Sequence, residues 1–170
     1  MANFSFLKDK PEFKNFADDC IEAEQTFEKS PNACVKLSRT AMEAAVKWLY
    51  NNDKKFKAAE GNDFFALVSN KNFESAVGQN ILNKIHYCRK LGNQAIHNEK
   101  DFDHAEGIQC LMNLFDFVQW IDKNYGKNYK PRTFDKDEIP VSDSFWKNLL
   151  KVGGGVILGV LGTLFINKKD

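Results

Sequence analysis

An all-α fold, an antiparallel bundle of about four long helices with short helices between them, is what this sequence predicts. Three observations predict it. Apolar residues recur at three-to-four spacing in separate segments, cap and breaker residues stand at the segment ends, and no stretch alternates apolar and polar residues over a useful strand length. The 170 residues, 43% of them hydrophobic, suffice to bury one core but not two.

The first helix follows Pro11. Phe13, Phe16, Ala17, Cys20, Ile21 and Phe27 form its apolar stripe, with Glu12, Lys14, Asp18, Asp19 and Glu22 opposite. Ser30-Pro31 starts the second, since a serine hydroxyl caps exposed N–H groups and proline suits the first helical position. Cys34, Leu37, Ala41, Ala45, Trp48 and Leu49 carry it to about Tyr50. Between Lys54 and Gly78 only short apolar clusters occur, Phe64-Phe65 with Leu67-Val68 and then Phe73 with Val77, which predicts short helices or loops capping one end of the bundle. Regularity returns at Gln79. Ile81, Leu82, Ile85, Cys88, Leu91, Ala95 and Ile96 mark a third long helix that fades at His97-Asn98 and tolerates Gly92 at a cost of about 1 kcal/mol. Asp101 or Asp103 caps the fourth, whose stripe includes Ile108, Leu111, Phe115, Val118 and Ile121 and which ends near Tyr125-Gly126.

Residues 1–128 thus read as one helical domain, and residues 129–144, charged, aperiodic and carrying Pro131 and Pro140, as a linker. Residues 145–170 read as a glycine-rich C-terminal apolar helix. Its uncharged core, 152–166, would span only about 22 Å as a helix against a hydrocarbon layer of about 30 Å. With Lys151 snorkelling, the usable stretch extends back to Leu149 and reaches about 27 Å. Trp146 and the flanking lysines stand where interfacial anchors belong. Gly155 and Gly159 make a GxxxG step, and Gly162 lies close to the same face, so helix backbones can approach closely and self-associate. The expectation is a single-pass C-terminal anchor in the inner membrane with a cytoplasmic N-terminal domain, the N-terminus showing no secretory signal. The competing reading of this segment is a buried core helix or a docking peptide.

Lysine and arginine number 24 against 23 acidic residues, so a net charge of +1 offers no global field to polyanions; nucleic acid is expected as a partner only indirectly. Cys20, Cys34, Cys88 and Cys110 show neither CxxC pairing nor histidine at zinc-ligand spacing, and read as reduced core thiols; no metal and no cofactor is expected. One polar constellation stands out. Arg89, Asn93 and His97 are successive i+4 neighbours on the third long helix, a trio of guanidinium, carboxamide and imidazole that could hold a phosphate. Arg39 and Glu43, four apart on the second helix, could face it. The competing reading is a polar seam that fixes helix register, with Arg39–Glu43 and Asn93–His97 satisfying each other.

The runs Asn3-Phe-Ser-Phe-Leu, Ser30-Pro31-Asn-Ala-Cys34, Arg39-Thr-Ala-Met-Glu43, Val46-Lys-Trp-Leu-Tyr50 and Arg89-Lys-Leu-Gly-Asn93-Gln-Ala-Ile-His97 resemble the small helical domain at the N-terminus of many type I restriction enzyme R subunits, grouped with HEPN-like proteins. That resemblance spans residues 3 to 128. Several such proteins are metal-independent ribonucleases using an Arg-x(4–6)-His motif, whereas seven residues separate Arg89 from His97. No catalytic residue is therefore assigned; Arg89, Asn93 and His97 are the candidates if the chain is a ribonuclease. With no GxxxxGK[ST] loop present, the layout resembles a membrane effector of a bacterial anti-phage system. The expected function is a non-enzymatic, membrane-anchored interaction protein and homo-oligomer that receives a protein partner in a defence complex. The alternatives are a HEPN-type ribonuclease or a soluble adaptor of a restriction-like complex.

Overall fold

A computed structural model describes residues 2–56, 61–97 and 100–139. The regular elements among these residues are all helices, with no strand: α1 (Lys14–Thr26), α2 (Pro31–Asn52), α3 (Phe64–Val68), α4 (Lys71–Ile96) and α5 (His104–Tyr125), with 3-10 turns at Ser5–Asp9, Pro11–Phe13 and Lys54–Phe56. The C-terminal apolar helix expected at 145–170 lies outside the described residues.

Local chemistry sets the boundaries. Ser30 accepts from the Ala33 N–H at 3.2 Å to cap α2 behind Pro31. Asp103 and Glu106 complete a reciprocal capping box at α5, which settles the choice between Asp101 and Asp103. The helix expected from Gln79 begins earlier. Asn70 caps a first segment at Lys71, and Gly78, at φ 75° and ψ 159°, breaks the helix before it continues to Ile96. Only glycine adopts that backbone readily, so the kink sits where the sequence places it.

Side-chain contacts give the helix directions. Phe13 and Phe16, at the start of α1, stand edge-on to Trp48 near the end of α2, with centroids 5.3 and 6.2 Å away. Arg39 meets Asn93 while Tyr50 stacks on Phe73 at 6.0 Å, so α4 runs antiparallel to α2. Lys84 pairs with Asp116, and the Cys88 thiol lies 3.6 Å from the Cys110 carbonyl, so α5 reverses again. The long helices therefore alternate in direction, with α2 packed against α1, α4 and α5. Phenylalanine dominates the interior: Phe4, Phe13, Phe16, Phe27, Phe56, Phe73, Phe115 and Phe117 are all fully buried. The four cysteines are buried and unbridged, and burial pushes the Cys20 and Cys34 thiols well above the usual thiol range, where they are poor nucleophiles.

The compact unit extends to Ile139 rather than ending at 128. Residues 129–139 are aperiodic, as expected, yet they lie along the bundle. Arg132 reaches the carboxylate of Asp122 at 3.1 Å, Phe134 stands edge-on to Phe115, and Ile139 is buried. Asn3 and Asp135 exchange two hydrogen bonds, with Asn3 Nδ2 donating to the Asp135 carbonyl and the Asp135 N–H to Asn3 Oδ1. Asp122 also takes the ammonium of Lys10 at 2.6 Å, so one buried carboxylate of α5 holds both ends of the unit.

Candidate functional site

The polar residues singled out on α2 and α4 converge on one seam. Its closeness begins with Gly92: a Cβ there would meet the stem of Arg39, with Cγ only 2.7 Å away, so the missing side chain leaves room for Arg39 to lie across α4. From that position Arg39 Nε donates to Asn93 Oδ1 at 2.7 Å, and its terminal nitrogen donates to Glu43 Oε2 at 2.8 Å. Lys47, one turn further on, donates to Glu43 Oε1 at 2.7 Å. Partial burial acts to raise the Glu43 pKa, but the Lys47 hydrogen bond and the Arg39 charge outweigh it and hold the carboxyl below its ordinary value. Both Glu43 oxygens are thereby occupied and ionised.

Arg89, one turn before Asn93, takes no part in this network. Its guanidinium lies 4.9 Å from the Phe65 ring, while that of Arg39 lies 5.5 Å from Phe64. The two adjacent phenylalanines of α3 thus serve two arginines from different helices. Arg89 Nε is sealed from water without a hydrogen bond, and Arg89 has no carboxylate partner among the described residues. Phe65 remains 56% exposed and Ile96, on the same face of α4, 45% exposed.

The trio expected on α4 does not form a common cradle. Asn93 turns to Arg39 rather than to His97. His97 is the exposed C-cap residue, tied to Asn93 through its backbone N–H at 3.1 Å. Eight positions of helix place Arg89 and His97 about 12 Å apart along the axis. Arg39–Glu43 pair as the seam reading expected. Among the described residues no group of three His, Cys, Asp or Glu side chains could hold a metal ion. Gly155, Gly159 and Gly162 lie outside the described residues, and among those described no helix is long and apolar enough to cross a membrane.

A concavity lies between the N-terminal turns and the docked 132–138 segment. It is a groove of about 470 Å³ floored by Phe6 and Phe115, with Arg132 stacked on Phe6 at 4.0 Å. Lys8, Asp9, Asp135 and Glu138 give its rim both signs of charge. Sequence reasoning missed this groove and the open face of Phe65 and Ile96. A double phenylalanine in a short apolar cluster carries no mark of which ring is left outside.

Comparison with known proteins gives one finding and two absences. The family described as "Domain of unknown function (DUF4145)" matches residues 21–130, which contain the seam, its arginines and all five α-helices except the start of α1. No curated protein and no solved structure matches the chain.

Proposed function

The chain belongs to the DUF4145 family, and we propose that it works as a non-enzymatic interaction protein anchored in the bacterial inner membrane, in which the helical unit receives a protein partner and the 145–166 segment associates in the bilayer. The observation that carries the interaction half is the α3–α4 face. Phe65 stands open to solvent against the Arg89 guanidinium, which has no carboxylate partner among the described residues, and Ile96 is exposed on the same side of α4. Exposed apolar surface rimmed by polar groups is where partner proteins dock. The membrane half is supported by sequence: the uncharged run 152–166, its GxxxG step and its lysine and tryptophan flanks. An anti-phage setting is supported by the resemblance of this layout to membrane effectors.

A ribonuclease is the second reading, favoured by one observation: the exposed His97 and the half-buried Arg89 of α4 both lack an ion-pair partner among the described residues. His97 would act as general base and Arg89 as the charge stabiliser for a phosphorane.

Fractionation and RNA cleavage together decide between the two. The full chain is expected in the membrane fraction and a chain ending at Asp143 or Ser144 in the soluble one, with neither degrading RNA in the presence of a chelator. A full chain found wholly in the soluble fraction refutes the anchor. Metal-independent RNA degradation that His97→Ala abolishes replaces the interaction reading with the ribonuclease.

A further inference from the structure

Phe65 of α3 and Arg89 of α4 are in contact, and Ile96 lies on the Arg89 side of α4. Phe65 and Ile96 are the exposed large apolar residues of the described chain, at 56% and 45%. Arg89 covers the Phe65 ring, and Ile96, seven positions later, returns to the same side of α4 about 10 Å along the axis. A cation therefore sits against one exposed apolar side chain, with a second two turns further along the same side of the helix. Neighbouring cations are already paired, because Glu43 places one oxygen on Arg39 and the other on Lys47. Among the described residues Arg89 is left as the guanidinium of this seam without a carboxylate partner. Stacking on Phe65 has already restricted its rotamers, so a bidentate carboxylate contact costs less ordering on binding.

We infer that this face docks an acidic, apolar segment of a partner protein, with one carboxylate on Arg89 and flanking apolar side chains on Phe65 and Ile96. The inference rests on the interaction reading and deepens it by naming the partner's chemistry. Charge argues against the other occupants. A second copy related by a two-fold axis brings Arg89 toward its own counterpart, with no Glu43 oxygen free to separate them. A nucleic acid backbone needs a track of open cations, whereas among the described residues Arg89 is the seam's one guanidinium without a carboxylate partner, Arg39 and Lys47 both being held on Glu43.

Panning a random dodecapeptide library on the purified full-length chain tests the assignment. Enriched peptides are expected to carry aspartate or glutamate beside leucine or phenylalanine. A synthesised member should lose at least about tenfold in affinity, read by fluorescence anisotropy, on Arg89→Glu and again on Phe65→Ser. Replacing its acidic residue by lysine should restore binding to the Arg89→Glu chain, and this charge swap decides the matter even where Phe65→Ser fails to fold by circular dichroism. No enrichment, enrichment without carboxylates, or affinity indifferent to both substitutions overturns the proposal. So does tighter binding of an oligouridylate than of the peptide, or a concentration-dependent dimer that Arg89→Glu abolishes. Membrane partition of the same preparations keeps the two levels apart: retained partition without peptide binding removes this face and leaves the anchor reading, and the converse result does the reverse.

Discussion

Arg39 lies directly on Gly92, and the contact between these two residues sets how closely α2 and α4 approach at the polar seam. In an isolated helix a glycine costs about 1 kcal/mol relative to alanine. Here the cost is offset by a long side chain laid flat across the neighbouring backbone, with Asn93 and Glu43 receiving its donors.

Gly92→Ala is accordingly expected to destabilise the protein by about 1–2 kcal/mol in urea unfolding, although it raises helix propensity, because overpacking of this kind typically costs about 1–3 kcal/mol. The root of the Arg39 side chain, and not only its tip, occupies the space. Rotamer changes therefore cannot relieve the clash. Arg39→Ala should fail to rescue Gly92→Ala, and Arg39→Gly should rescue it in part; a double variant that behaves additively in both cases would sink this account.

How much of this could be read from the chain alone depended on whether the cause was local. Ser30-Pro31 and Asp103 with Glu106 act within three residues of themselves, so the sequence places the first cap and narrows the second to Asp101 or Asp103. The i+4 pair Arg39–Glu43 is local too. Asn93 illustrates the opposite case: its two possible partners, His97 on its own helix and Arg39 on another, differ only in the packing that Gly92 permits. The start of α4 was hidden because Gly78 reads as punctuation, whereas the structure uses it as a kink within a helical run that begins at Lys71. Residues 129–139 were hidden because Asn3, Phe6 and Asp122, ten or more positions away or at the other end of the chain, hold them without any period.

Asp122 is the most consequential of those holders. It is fully buried and takes Lys10 at 2.6 Å and Arg132 at 3.1 Å, while Lys10 also donates to the Lys127 carbonyl. Asp122→Ala would leave the buried Lys10 ammonium without a carboxylate, a loss of about 3–5 kcal/mol. Trypsin should then cut within 127–132 sooner than in the parent chain. A variant with unchanged urea midpoint and unchanged cleavage would show that the ion pairs do not hold the segment.

His86 reports on the open face from within α4. Burial, and then the positive charge of Arg89, hold its pKa below the ordinary 6.5, with Glu74 opposing them. The folded-state pKa is the lower one, so the unfolded chain binds the proton more readily and stability falls as pH drops from about 6.5 through the folded value. Arg89→Gln removes the second of these causes. NMR titration should find the His86 pKa shifted upward in that variant and the stability loss between neutral and mildly acidic pH reduced. An unmoved His86 titration would mean that Arg89 does not act on this ring.

The C-terminal prediction concerns residues outside the described structure and follows from their composition. With Gly155 and Gly159 one turn apart in a helix, two copies can bring their backbones into close contact, and replacing both by isoleucine blocks that approach while raising hydrophobicity. Gly155→Ile with Gly159→Ile should therefore stay in the membrane fraction yet lose higher oligomers in chemical cross-linking. A charge in mid-segment acts on the other step. Leu158→Lys carries an insertion penalty of about 2.5–3.5 kcal/mol, which a span of only about 27 Å has little apolar surplus to absorb, so this variant should move to the soluble fraction. The two substitutions separate insertion from association. If the glycine pair leaves cross-linking unchanged, association resides elsewhere; if Leu158→Lys remains fully membrane-bound, the segment is not the anchor.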